Sequence, residues 1–97
     1  MKQLRFEWDE KQAKANVRKH GVSFEEARTA FYDENAIQFY DPDHSEEEDR
    51  FILLGLSFVP QVLVVCHCFR ESEKIVRIVS ARRADKDEEE EYWKHRK

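Results

Sequence analysis

The sequence predicts an α+β fold: two N-terminal helices packed on a small antiparallel β-sheet, with a C-terminal helix. Three observations carry that prediction. Asp or Ser followed three residues later by Gln or Glu recurs at Asp9/Gln12, Ser23/Glu26 and Asp85/Glu88, a pattern in which a short side chain accepts from the free amides of a helix start. Between the second and third patterns lie runs of β-branched, aliphatic and aromatic residues, the last three joined by links so short that neighbours must be antiparallel. Finally, 97 residues with 40% hydrophobic content are enough for one core and too few for separate cofactor and substrate domains, so residues 1–97 read as one domain.

In chain order, Leu4 to Trp8 reads as a short opening strand and Asp9 as the cap of a first helix. Arg18, Lys19 and His20 fill its last turn, where cations suit the dipole, and Gly21 supplies a left-handed stop. Ser23 opens a second helix at once, with Phe24, Ala27, Arg28 and Phe31 on one face at i, i+3, i+4 and i+7. Strands follow at Ala36 to Tyr40, Arg50 to Phe58, Gln61 to Phe69 and Lys74 to Ala81, with turns at Pro60 and at Arg70 to Glu73. Asp85 caps a last helix through Tyr92 and Trp93 whose other residues are nearly all charged, so it has little of its own to bury.

Charge is strongly segregated. Asp33 to Asp49 holds eight acids and no Lys or Arg, and Asp85 to Glu91 holds six acids with one lysine. Outside them, 16 Lys and Arg face 7 Asp and Glu, so a chain of net charge −4 carries a remainder of +9, a surface suited to phosphates unless both signs are simply solvated. The acidic loop Asp41 to Asp49 lacks the central glycine and ligand spacing of an EF-hand, and no metal is expected. Cys66 and Cys68, two apart on one strand, point in parallel, which suits neither a disulfide nor, with His67 between them, a zinc chelate; they read as small core side chains. No apolar run reaches a membrane span, and Met1 to Trp8 has no signal-peptide core, so a cytoplasmic location is expected.

Strict alternation along Lys74 to Arg82 puts Ile75, Arg77, Val79 and Ala81 on one face and Val76, Ile78, Ser80 and Arg82 on the other. Arg77 among apolar neighbours needs an anion, either a carboxylate in an internal ion pair or a bound phosphate. Arg82 and Arg83 point to opposite sides, so one of them can reach a site shared with Arg77. His67 shares a face with Leu63, Val65 and Phe69, and reads as a packing residue or a catalyst. His20 ends the first helix beside Lys19, where the dipole alone could explain it. His44 and His95 lie in highly charged segments and receive no role. This residue set suits one reaction in particular. RNA supplies its own 2′-hydroxyl nucleophile, so cleavage needs only proton transfer by groups such as imidazole and cations for the phosphorane oxyanion.

Phe6-Glu-Trp-Asp9, Asn16 with Lys19-His-Gly-Val-Ser-Phe-Glu-Glu-Ala27, Asp43-His-Ser-Glu46 with Glu48-Asp-Arg50, and Ile78-Val-Ser-Ala-Arg-Arg-Ala84 stand in the order and spacing of one family. The chain resembles the BrnT toxins, also called DUF497, over nearly its whole length. The resemblance implies a RelE-like fold, a ribonuclease toxin that arrests translation, and a BrnA antitoxin whose ribbon-helix-helix part binds DNA and lets the complex repress its own operon. No cofactor is expected. Lys19, His20, Arg50, Arg82 and Arg83 fall inside the family motifs; His67 and Arg77 rest on the residue reading. The last helix departs from the pattern: Glu88 and Tyr92 keep a Glu-x-x-x-Tyr unit, but Asp87 and Glu89 to Glu91 replace the bases expected there. Such a helix would meet a basic antitoxin segment or cover the basic sheet.

The expectation is therefore a metal-independent endoribonuclease toxin leaving a 2′,3′-cyclic phosphate, in a hetero-oligomer with its antitoxin and touching DNA only through it. His20 or His67 would move protons, Arg77, Arg82 and Arg83 would stabilise the scissile phosphate, and Lys19 and Arg50 would bind the RNA backbone. The alternative is a non-catalytic module binding protein or RNA through the same basic face.

Overall fold

The computed structural model describes residues 4–96. Met1 to Gln3, part of the segment read as lacking a leader, and Lys97 lie outside them. The elements run β1 (Arg5–Glu7), α1 (Glu10–His20), α2 (Phe24–Ala30), β2 (Ile37–Tyr40), a 3-10 turn (Pro42–His44), β3 (Phe51–Leu56), β4 (Val62–Arg70), β5 (Ile75–Arg83) and α3 (Lys86–His95). One sheet orders them β1-β5-β4-β3-β2. The expected antiparallel sheet is in fact mixed, because β1 joins the edge of β5 in parallel, Arg5 beside Ile75 and Glu7 beside Arg77. A parallel pair needs a long crossover, which the intervening helices and strands provide. No helix among the described residues is long and apolar enough to cross a membrane.

The helix starts are built as their capping residues dictate, with one difference. Asp9 accepts from the amides of Lys11 and Gln12, Ser23 accepts from that of Glu26, and Gly21 ends α1 at φ +70°. Only Asp85/Glu88 closes in both directions as a capping box. Glu26 instead turns outward, accepting from the Ser57 hydroxyl and the Gln61 amide, and so ties α2 to the β3–β4 turn. Gly55 permits that approach: a Cβ there would stand 2.9 Å from the Ala30 carbonyl oxygen.

Two apolar clusters sandwich the sheet. Ala13, Val22, Phe24, Ala27 and Ala30 of the first two helices and their connection bury Leu53, Leu63, Val65, Val76, Ile78 and Ala81 on one face. On the other face, α3 inserts only Tyr92, against Leu54, Val62 and Val64. The Tyr92 hydroxyl donates to Asp33 at 2.5 Å, and Asp33 also accepts from the amides of Leu56 and Asn35. Burial, then the bond to Asp33, pushes the Tyr92 phenol up to about 12. Burial alone would raise Asp33, but its hydrogen bonds, that from Tyr92 foremost, hold it below the usual carboxylate range. Glu88 and Tyr92, one turn apart, thus dock an otherwise solvated helix, Glu88 by a forked bond to Arg82. The rest of that face stays open.

A β-bulge decides what the open face presents. Cys66 pairs with Ser80 but His67 pairs with Ile78, leaving Val79 as an extra residue on β5. The alternation read from sequence therefore breaks at Val79. Val76, Ile78 and Ala81 enter the helix-side core, whereas Val79, Ser80 and Arg82 line a groove on the open face. Arg82 thereby changes face relative to the sequence reading.

Beyond Arg77, the outer edge of β5 has no strand partner among the described residues, and Asn16 takes that place. Its side-chain oxygen accepts from the Ala81 amide at 3.0 Å, and its nitrogen donates to the carbonyls of Ala81 and Val22, each at 2.8 Å. All three bonds are buried. Asn16→Ala would leave those backbone groups unsatisfied and should cost about 2 kcal/mol. Urea unfolding checks this, with Asn16→Asp expected to be no better because a carboxylate cannot donate to the two carbonyls.

Candidate active site

The bulge, the end of α1 and the loop after β2 enclose a groove of about 300 Å³ on the open sheet face. Ile52, Val64, Cys66, Val79 and Ser80 form its floor, and His20, Asp41, His44, Arg50 and Arg82 supply its polar rim. His20 arrives one helical turn after Asn16, whose bonds fix α1 against the outer edge of β5. Arg82 is aimed by Glu88, which accepts from both of its terminal nitrogens at 2.8 and 2.9 Å. That fork, working against burial, raises the Arg82 pKa and holds the Glu88 carboxyl below its ordinary value.

The opposite rim is set by the loop between β2 and β3. The Asp41 amide donates to the Arg50 carbonyl, and the Arg50 amide donates to the Ser45 hydroxyl, both at 2.9 Å. Ser45 in turn donates to the Asp41 carbonyl. Pro42 starts the 3-10 turn, and the Asp41 side chain ahead of it makes no capping bond. Its carboxylate instead accepts from His44 Nδ1 at 2.8 Å. Arg50, next to this pair, makes no ion pair among the described residues and borders both the groove and the acidic loop. Burial pushes the Cys66 thiol up, so the floor stays un-ionised.

Three of the expected residues, His20, Arg50 and Arg82, thus meet in one groove. Lys19 is exposed one residue before His20. The other three lie elsewhere. His67 is fully buried on the helix side of the sheet, caged by Phe31, Phe51 and Phe69. Its Nδ1 lies 3.1 Å from the Val65 carbonyl oxygen and its Nε2 lies 3.0 Å from Gln38 Oε1. Burial lowers its pKa to about 4, so the ring is neutral at pH 7 and has no path to a bound substrate. Arg77 is held by Glu7 at 2.8 Å, five residues along β5 from Arg82, or about 16 Å at strand rise. Its anion is the internal carboxylate. Arg83 is exposed and points away from the groove, since it pairs with Leu63 on the helix-side face.

Asp41 and His44 are the groove residues that sequence reasoning passed over. A signal existed: Asp-Pro-x-His places an acid and an imidazole one 3-10 turn apart, with proline setting the turn. The surrounding run of acids hid it.

Taken as chemistry, the groove joins two guanidinium groups and two imidazoles over a mostly apolar floor, a combination able to hold a phosphodiester and exchange protons with it. A family model described as the ribonuclease toxin BrnT of type II toxin–antitoxin systems matches residues 8–88. Among solved structures, the chain is similar to the Brucella abortus ribonuclease toxin BrnT, known from a 1.1 Å crystal structure. The TM-score is 0.65 at 22% identity, over 87% of this chain and 100% of that one. At that identity the likeness speaks for the fold. No curated protein matches.

Proposed function

Because the chain belongs to the BrnT family of ribonuclease toxins of type II toxin–antitoxin systems, we propose that it is a metal-independent endoribonuclease whose active site is the groove on the open sheet face. The observation that carries this reading is the meeting of His20, Arg50 and Arg82 in that groove, from three segments far apart in sequence. An imidazole takes the proton of the 2′-hydroxyl, the 2′-oxygen attacks phosphorus, and the 5′-oxygen leaves with a proton from a second group. Arg50 and Arg82 hold the charge that builds on the non-bridging oxygens, where preorganised donors act most strongly. The product is a 2′,3′-cyclic phosphate. Lys19, exposed beside His20, takes a flanking phosphate.

In this reading the toxin acts in the cytoplasm, arrests translation by cleaving RNA, and is restrained by a BrnA-like antitoxin whose ribbon-helix-helix part alone contacts DNA. Glu88 sits where an incoming phosphate would contact Arg82, so substrate must share or replace a bidentate carboxylate.

The test is to incubate the purified chain, freed of any partner, with total RNA in EDTA, with and without ribosomes, and to map the 3′ ends formed. Fragments ending in 2′,3′-cyclic phosphate are expected. Intact RNA in both arms, together with RNA binding that weakens steeply with salt, would overturn the nuclease in favour of a non-catalytic RNA-binding module.

A further inference from the structure

We propose that the general base for the 2′-hydroxyl is His44, with Asp41 as its positioning residue. This rests on the nuclease reading above and names a residue that the reading leaves open. The Asp41–His44 pair differs from an ordinary loop contact in three ways. First, burial is divided unevenly: the His44 side chain is 67% exposed whereas that of Asp41 is only 9% exposed. A pair serving packing would bury the ring, but here the carboxylate is sunk and the ring stands out over the groove. Second, the bond is not needed to hold the loop. Ser45 already clamps it through the Asp41 carbonyl and the Arg50 amide, and the β2–β3 ladder continues through the Asp41 amide. Third, the Asp41 carboxylate stands at the start of the 3-10 turn without capping it, its hydrogen bond being spent on the ring.

The consequence for the imidazole is specific. A carboxylate only accepts, so Nδ1 carries the hydrogen and Nε2 is left with its lone pair, the tautomer a base requires. When Nε2 takes a proton, the imidazolium formed lies against the buried carboxylate that stabilises it.

Placement across the groove agrees. His20 comes from the β5 side, where Asn16 binds the outer edge of Ala81, and His44 from the β3 side beside Arg50. Two strand spacings, about 10 Å, separate those strands, so a phosphodiester seated in the groove would lie between residues that enter from opposite sides. In-line displacement needs that disposition, because the attacking and departing oxygens lie on opposite sides of phosphorus. The step balances: His44 Nε2 gains the 2′-hydroxyl proton, the P–O2′ bond forms, the P–O5′ bond breaks, and the departing oxygen receives a proton from His20.

The test compares single-turnover cleavage of an RNA dinucleotide with that of its analogue carrying sulfur in place of the 5′-oxygen, whose departure needs no proton. His44→Ala should slow the normal substrate by about 100-fold or more. The sulfur substrate should leave that defect in place while relieving the defect of His20→Ala, and added imidazole should restore part of the His44→Ala rate. Asp41→Asn should lower kcat by at least about tenfold with KM unchanged. His95→Ala, an exposed histidine outside the groove, should match the wild type. Thermal melting identifies any variant that fails to fold, and His44→Gln then stands in for His44→Ala. Wild-type rates in folded His44→Ala and His44→Gln would overturn the proposal and leave the nuclease intact, as would recovery of His44→Ala on the sulfur substrate. A wild type that cleaves neither substrate nor total RNA would overturn the nuclease reading itself and this proposal with it.

Discussion

Arg82→Ala should slow RNA cleavage by about 10²–10³-fold, whereas Arg83→Ala should leave it within about twofold, the usual scale of losing one oxyanion donor against losing none. The two arginines are neighbours in sequence and in the same family motif, so their separation tests the groove directly. Arg82 lines it and Arg83 points to the other face of the strand. Both variants lose one positive charge, so a purely long-range electrostatic effect would weaken them alike. Arg82→Lys separates charge from geometry: it keeps the cation but loses the planar fork, and should recover only part of the rate. Loss of fold is a small concern, because Arg82 and Glu88 are partly exposed and such a pair contributes about 1 kcal/mol or less. Equal losses in the Arg82→Ala and Arg83→Ala variants, measured in low and high salt, would show that the scissile phosphate is not bound where the groove lies.

That contrast also shows what a one-dimensional reading sees. Helix starts were legible because a cap is local: Asp9, Ser23 and Asp85 each bind amides two or three residues ahead. The strands were legible because β2 to β5 are apolar runs, the last three of them linked by short connections from which antiparallel pairing follows. The bulge at Val79 was not, because its cause lies in the pairing of β5 with β4 and neither Gly nor Pro marks it. One skipped residue moved Arg82 to the other face.

The partners of the candidate residues were illegible for a related reason. Glu7 with Arg77, Asp33 with Tyr92 and Asn16 with Ala81 are each more than fifty residues apart, and composition does not say which acid meets which base. The rule that an arginine among apolar neighbours needs an anion held for Arg77, but the anion belongs to β1, the strand whose parallel placement was also unforeseen. Asp41 and His44 were the reverse case, a local pair overlooked because its neighbours read as a solvated acidic loop. Acidic α3 was foreseen to bury little, and the two positions of its Glu-x-x-x-Tyr unit turn out to be what attaches it: Glu88 to Arg82, Tyr92 to Asp33.

His67 carries the second large prediction, and it concerns stability. Inside the cage of Phe31, Phe51 and Phe69 its pKa falls to about 4, because burial disfavours the cation more than the Val65 carbonyl favours it. In the unfolded chain an imidazole titrates near 6.5. Above that pH neither state binds a proton at this site and folding is unaffected. Between about 6.5 and 4 the unfolded state binds one that the folded state refuses, so stability must fall as pH falls, by about 3 kcal/mol across the whole window. Asp33 and Glu88, whose carboxyls are depressed in the fold, lose their contribution only at lower pH, as they protonate. Urea unfolding at intervals from pH 7 to pH 4.5 should therefore show a steady loss in the wild type and a clearly shallower profile in His67→Phe, which fills the cage without a titrating group. Cleavage at neutral pH should survive this substitution, since the ring lies across the sheet from the groove. A His67→Phe profile as steep as the wild type would assign the titration to another group, and loss of cleavage in a stably folded His67→Phe would return the residue to the active site.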